Sequence, residues 1–226
     1  MAKEINWNAR AVALELLAFS LRYPDDELVE SLMSGEWQAA CDDLEKVGYL
    51  ELPQGFANVD LLRDADGLEV EDSETFLHVL RAESTRLFIG APNPVVSPFE
   101  GIWRAADDGV EGLVFANPHT MDVARFMRSC GIGQSEGVNV PLDHVATELE
   151  FMQYLSMLEA GMIQPYEGAV DADDLPGGSA PAAYDRFFEE HAQVWMDRFA
   201  AKVAEESRVP YYRAVAQLLA SYMSCN

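Results

Sequence analysis

Apolar residues recur at three- and four-residue spacing in block after block of this sequence, and no convincing β-hairpin, βαβ repeat or internal repeat competes with that pattern. Such blocks are amphipathic helices, and each must bury its apolar stripe against another. The expectation is an all-α chain, a single helical-bundle fold with a long connection before the C-terminal helices. Its 226 residues suffice for one substantial core, so one domain spanning 1–226 is expected.

The first helix is expected from Asn8 to Arg22, capped by Asn8, with Val12, Leu16 and Phe19 on its packing face and Tyr23–Pro24 as its stop. PDDELVESLM opens a second, burying Leu28, Leu32 and Met33 while Asp25, Asp26 and Glu27 meet the positive end of the helix dipole. A third starts near Glu36, carries Trp37, Cys41 and Leu44, and ends at Gly48. Residues 49–72 read as a connection with room for one short helix. SETFLHVLRAESTRLFIG then carries a stripe of Phe76, Leu77, Leu80, Leu87 and Phe88, capped by Ser73 and ended by Gly90.

Three prolines in APNPVVSPFEGIW lead into the next start. Ser97, Pro98 and Glu100 fit N-cap, N1 and N3 positions, so serine and glutamate would satisfy free amides reciprocally. NPHT begins a helix that packs Val123, Phe126 and Met127 and ends at Cys130–Gly131. The clearest helix runs from Pro141 to Glu159, with Leu142, Val145, Leu149 and Met152 at helical spacing and Phe151, Leu155 and Leu158 widening the face. GMIQPYEGAVDADDLPGGSAP, residues 161–181, reads as a hinge or linker. Two helices close the chain. The first places Tyr184, Phe188, Trp195, Phe199 and Val203 on one face, and the second starts near Pro210.

Charge narrows the function. Fifteen basic against 39 acidic side chains give a formal charge of -24, which disfavours a phosphate-backbone partner and suits a basic peptide. Cys41, Cys130 and Cys225 lack CxxC spacing, so neither a disulfide framework nor a cysteine-rich zinc site is expected. MAKEINWNAR leads into an apolar stretch divided by Glu15 and followed by RYPDDE, which reads as an amphipathic helix of a cytosolic protein and neither a signal peptide nor a membrane span. GIGQSEG lacks the lysine and hydroxyl of a P-loop and the strand–turn–helix setting of a dinucleotide site, so it is assigned to a turn.

PLDHVATELEFM concentrates the polar chemistry. His144 and Glu148 stand four apart and would share a helix face, whereas Asp143 points about 100° away. A metal would need further ligands, and neither an H-E-x-x-H pattern nor a cysteine cluster supplies them. An acid–base role for His144 lacks a nucleophile and an activating partner. Taken alone, the residues read as a partly buried histidine contact oriented by Glu148, or as part of a protein-binding groove. In that groove Asp143, Glu148 and Glu150 would attract a basic segment, with Phe151 and Met152 adding apolar contact.

Three blocks together resemble the TorD/DmsD/NarJ superfamily of redox-enzyme maturation chaperones, most like its TorD/DmsD branch. They are RLFIGAPNPVVSPFEGIW, PLDHVATELEFM, and FFEEHAQVWMDRFAAKV with VPYYRAVAQLLASY. Phe99 and Trp103 stand where similar sequences often carry tyrosine, retaining the ring and losing the hydroxyl. The resemblance implies a cytoplasmic, all-helical chaperone without enzymatic activity. It would bind the precursor of a molybdenum-containing redox enzyme, through its twin-arginine signal peptide, and assist folding and cofactor insertion before export. Client-binding or groove-supporting roles then fall to Asp143, His144, Glu148, Phe151, Met152, Ser97, Pro98, Phe99, Glu100 and Trp103. No catalytic, metal or cofactor residue is assigned. The resemblance admits weak guanine-nucleotide binding, for which the sequence offers no specific motif, and a monomer with a domain-swapped dimer as its alternative. The competing readings are a small metal-dependent or acid–base enzyme using His144 and Glu148, and a general acidic helical adaptor.

Overall fold

A computed structural model describes residues 5–91, 93–110, 112, 117–133, 141–165 and 170–226. Residues 134–137 of the expected GIGQSEG turn, residues 166–169 of the 161–181 connection and Pro92 of the proline run lie outside the described residues. The fold is an all-α helical bundle, and the described residues contain isolated β-bridges but no strand. None of the described helices is long and apolar enough to cross a membrane.

Ten α-helices are present among the described residues: α1 Trp7–Leu21, α2 Asp26–Ser34, α3 Glu36–Lys46, α4 Ser73–Ser84, α5 Glu100–Asp107, α6 Pro118–Ser129, α7 Val145–Glu159, α8 Ala180–Phe187, α9 Gln193–Glu206 and α10 Pro210–Cys225. Wider π turns, Thr85–Ile89 and Phe188–Ala192, extend α4 and join α8 to α9. A short 3-10 turn, Phe56–Asn58, interrupts the 49–72 connection.

Several expected starts move because a better acceptor lies nearby. Asn6, not Asn8, caps α1 by accepting from Ala9 N–H at 3.1 Å. The buried stripe of α1 contains Leu14, Leu17, Ala18 and Leu21, which turns Val12 outward to 39% exposure. Asp72, not Ser73, caps α4 through Thr75 N–H at 2.8 Å. α7 begins four residues later than expected, at Val145, and α5 begins at Glu100 instead of Pro98.

The chain forms two compact units, Met1–Glu15 with Phe99–Trp195, and Leu16–Pro98 with Met196–Asn226. In the first, α5 packs on α6 and α7 on α8. Its core centres on Phe126, Phe151 and Phe187, with the last two rings 4.7 Å apart. Aromatic pairs of this kind contribute about 0.5–1.5 kcal/mol beyond area burial. Arg10 lies over the rings of Trp7 and Tyr184 at 4.6 and 4.4 Å, so its charge is buried against π-faces.

In the second unit, α2 packs on α3 and α4. Trp37 donates to Ser20 Oγ at 2.8 Å, and the Tyr211 hydroxyl donates to the Ser20 carbonyl at 3.1 Å. Glu83 accepts two bonds from Arg86, both 2.8 Å, and one from Arg208 N–H at 2.6 Å. Arg86 also donates to the Glu206 carbonyl at 2.6 Å, so the RLFIG block fixes the turn between α9 and α10.

Candidate functional site

The N-terminus of α5 has no capping side chain of its own, because Phe99 occupies the N-cap. Its free amides therefore need an acceptor from elsewhere. Asp143 provides it: its carbonyl accepts from Glu100 N–H at 3.0 Å, and Oδ2 accepts from Gly101 N–H at 2.9 Å and from the Thr120 hydroxyl at 2.7 Å. Asn117 caps α6 through His119 N–H at 2.9 Å and donates to the Gly101 carbonyl at 2.5 Å. His144 caps α7, its Nδ1 accepting from Ala146 N–H at 3.2 Å. A β-bridge and an edge-on ring contact at 5.3 Å join it to Phe99. Three helix starts are thus tied in one knot.

Gly101 is required by close approach. A Cβ there would stand 2.4 Å from Thr120 Oγ1, 2.9 Å from Asp143 Oδ2 and 3.1 Å from Asn117 Nδ2. The knot admits no side chain at this position.

Beside it lies a second polar group. Glu100 is fully buried, with Arg104 Nη1 donating to Oε1 at 2.8 Å and His191 Nδ1 at 3.2 Å from both oxygens. Arg104, 27% exposed, also donates to the Glu190 carbonyl at 3.2 Å. Glu148 is fully buried, and Trp195 Nε1 donates to its Oε2 at 3.2 Å. Its Oε1 has no donor, and its carboxyl interacts with that of Glu100. The π turn Phe188–Ala192 places His191 in this group, and Trp195 follows four residues later on the same side.

Burial dominates the electrostatics. It raises Glu148 well above the carboxylate range, and the charges of Glu100 and Asp143 add to the rise. Burial also raises Asp143, against the lowering by its Thr120 and Gly101 bonds. His144 is pushed down to about 4 by burial, so the cap that accepts from Ala146 is a neutral imidazole at neutral pH.

The sequence expectations sort accordingly. Asp143, His144, Phe99, Glu100, Glu148 and Trp103 belong to one region, with the Trp103 and Trp195 rings 6.4 Å apart. Ser97 and Pro98 fall in the second unit, and the N-cap expected at Ser97 is instead Phe99, with Asp143 accepting from the Glu100 and Gly101 amides. His144 and Glu148 meet through the backbone, Glu148 N–H donating to the His144 carbonyl at 3.0 Å, but not through the expected side-chain bond: His144 precedes the helix, and the Glu148 carboxyl turns to Trp195 and Glu100. Phe151 and Met152 are buried, Phe151 against Phe126 and Phe187, so they support the surface from within. His144, Phe99 and Trp103 retain partial exposure.

Sequence reasoning missed Gly101, Arg104, Asn117, Thr120, His191 and Trp195. Signals existed for some of them: Asn117 before Pro118 is an N-cap pattern, and the pairs Glu100–Arg104 and His191–Trp195 have i,i+4 spacing. Chemically the arrangement fixes helix ends and holds a buried carboxyl pair. Among the described residues no group of three or more His, Cys, Asp or Glu is arranged to hold a metal ion.

A family model described as nitrate reductase delta subunit matches residues 50–201. Two curated relatives are both called chaperone protein TorD. The one from Shewanella loihica is 21% identical over 200 residues, covering 88% of this chain and 82% of its own length. The one from Shewanella piezotolerans is 23% identical over 220 residues, covering 96% of this chain and 89% of its own.

Proposed function

The chain belongs to the nitrate reductase delta subunit family, and on that premise we propose that it is a chaperone for the precursor of a molybdenum-containing redox enzyme. The homology supports a chaperone role related to redox-enzyme maturation. The finer reading is that the chain binds the precursor through a basic twin-arginine signal peptide in the cytoplasm, and holds it until folding and cofactor insertion are complete. The observation that carries the proposal is the family match, which spans the whole polar knot from Phe99 to Trp195.

Chemistry agrees with that reading. A formal charge of -24 favours encounter with a basic segment. The half-buried His144, Phe99 and Trp103 offer aromatic surface for the apolar run that follows the arginines. Asp143, Glu100, Glu148, Phe151 and Met152 are buried and act as supports for that surface. The acid–base alternative is poorly served: His144 accepts from a backbone amide with Nδ1, and its proton affinity is too low for a base working at neutral pH. We take the chain to act as a monomer, with a domain-swapped dimer as the alternative.

Titrating the purified protein with a synthetic basic signal peptide tests the finer reading. Saturable binding that weakens when both arginines become glutamine, and when Trp103 becomes alanine, is expected. No binding at low ionic strength, or binding indifferent to both changes, would remove the signal peptide from the account.

A further inference from the structure

The polar core of the first unit holds two carboxyls where its partners compensate only one. Glu100 and Glu148 are both fully buried. His191 and Trp195, one helical turn apart, hold them side by side: the imidazole meets Glu100 at 3.2 Å and the indole N–H donates to Glu148 at 3.2 Å. The guanidinium of Arg104 reaches Glu100. Among the described residues no cation pairs with Glu148, whose Oε1 has no donor and whose carboxyl interacts with that of Glu100. An ionised carboxylate so placed would be buried without compensation, beside a second carboxylate.

We propose that Glu148 is a neutral carboxylic acid whose O–H donates to the Glu100 carboxylate, and that this one proton latches α5 onto α7. The balance is simple. Glu100 keeps its charge on Arg104, Glu148 supplies the hydrogen from Oε1 and keeps Oε2 as the acceptor for Trp195, and no buried donor is lost. Release of the proton to solvent leaves two carboxylates facing each other. Among the described residues, the titratable and charged groups that act on Glu148 are Glu100 from α5 and Asp143 from the segment before α7, while Arg104 from α5 and His191 from the π turn meet Glu100; α9 contributes the neutral indole of Trp195. Asp143 adds to the repulsion that the proton suppresses.

The direction of the pH effect follows. The closed form holds the proton to a higher pH than an open, hydrated Glu148 does. Closure is therefore strongest below the ordinary glutamic-acid range and weakens as pH rises towards the closed-state value, above which the contribution is lost. α5 carries Trp103, so the latch also governs the proposed client surface; that consequence rests on the chaperone reading, whereas the latch does not.

Hydrogen exchange of the Gly101–Ala105 amides, corrected for intrinsic exchange, tests it in the full chain and in Glu148→Gln from about pH 5 to about pH 8. The glutamine amide donates to Glu100 without a titrating proton. The opening constant of the natural protein should rise more steeply with pH than that of the variant, by about tenfold per pH unit. Equal slopes would overturn the latch. Carboxyl carbon NMR of the natural protein decides the same point without a variant: Glu148 should show the protonated shift at about pH 7, and an ionised shift there would overturn the proposal.

Discussion

Replacing Asp143 by alanine and by asparagine separates what its shape does from what its charge does. Alanine removes the acceptor for the buried Gly101 N–H at 2.9 Å and for the Thr120 hydroxyl at 2.7 Å. A buried donor left unmet costs about 1–3 kcal/mol, and loss of a cap costs about 0.5–2 kcal/mol by independent reckoning. Thr120 is partly exposed and can turn its hydroxyl to water, which places its share at the low end. The net expectation is a loss of about 2 kcal/mol for Asp143→Ala. Asparagine keeps an oxygen at the Oδ2 position to accept from Gly101 N–H and the Thr120 hydroxyl, so its loss should be smaller than that of alanine. Urea unfolding followed by the fluorescence of Trp103 and Trp195 measures both, with the alanine midpoint reduced and the slope unchanged. Alanine as stable as the natural protein would refute the capping argument. Asparagine as unstable as alanine would assign the effect to charge instead.

Further outcomes follow from the same geometry. Gly101→Ala should cost about 1–3 kcal/mol in the same assay, since its Cβ would meet Thr120 Oγ1 at 2.4 Å; an unchanged midpoint would show that the knot yields freely. The His144 imidazole should titrate near about 4 by NMR, and stability should fall as pH drops from about 6.5 towards that value, because the unfolded histidine takes its proton first. His144→Gln should lose that slope, and a free-solution midpoint for His144 would contradict its burial. Arg104→Met strips Glu100 of its guanidinium and should destabilise more than the double variant with Glu100→Gln. A coupling below about 0.5 kcal/mol in that cycle would mean that the pair contributes little.

Much of the architecture was legible because it is local. Trp37, Cys41 and Leu44 marked α3, Val123, Phe126 and Met127 marked α6, and Pro210 marked the start of α10, each from spacing or backbone restriction alone. The helix start at Ser97 was misplaced because the deciding acceptor is remote, and the one at Pro141 because His144 caps α7 from just outside it instead of lying within it. Asp143 is 42 residues from Gly101, and no local pattern announces a cap delivered across that separation. Asp143 and His144 were singled out from the sequence as residues of one helix, whereas they cap two different ones. The i,i+4 spacing offered Glu148 as the partner that orients His144, or as an acid of a peptide groove. The burial of Glu148 depends on Trp195 and His191, whose approach is set by the π turn, and a periodicity argument built on 3.6 residues per turn does not anticipate that turn.

Copurification from cells that express candidate redox-enzyme precursors tests the chaperone assignment most directly, with each precursor supplied both with and without its basic signal peptide. The account predicts enrichment of one precursor by the folded chain, reduced when the signal peptide is removed. If no precursor is enriched while the protein remains folded, the account is contradicted at its centre.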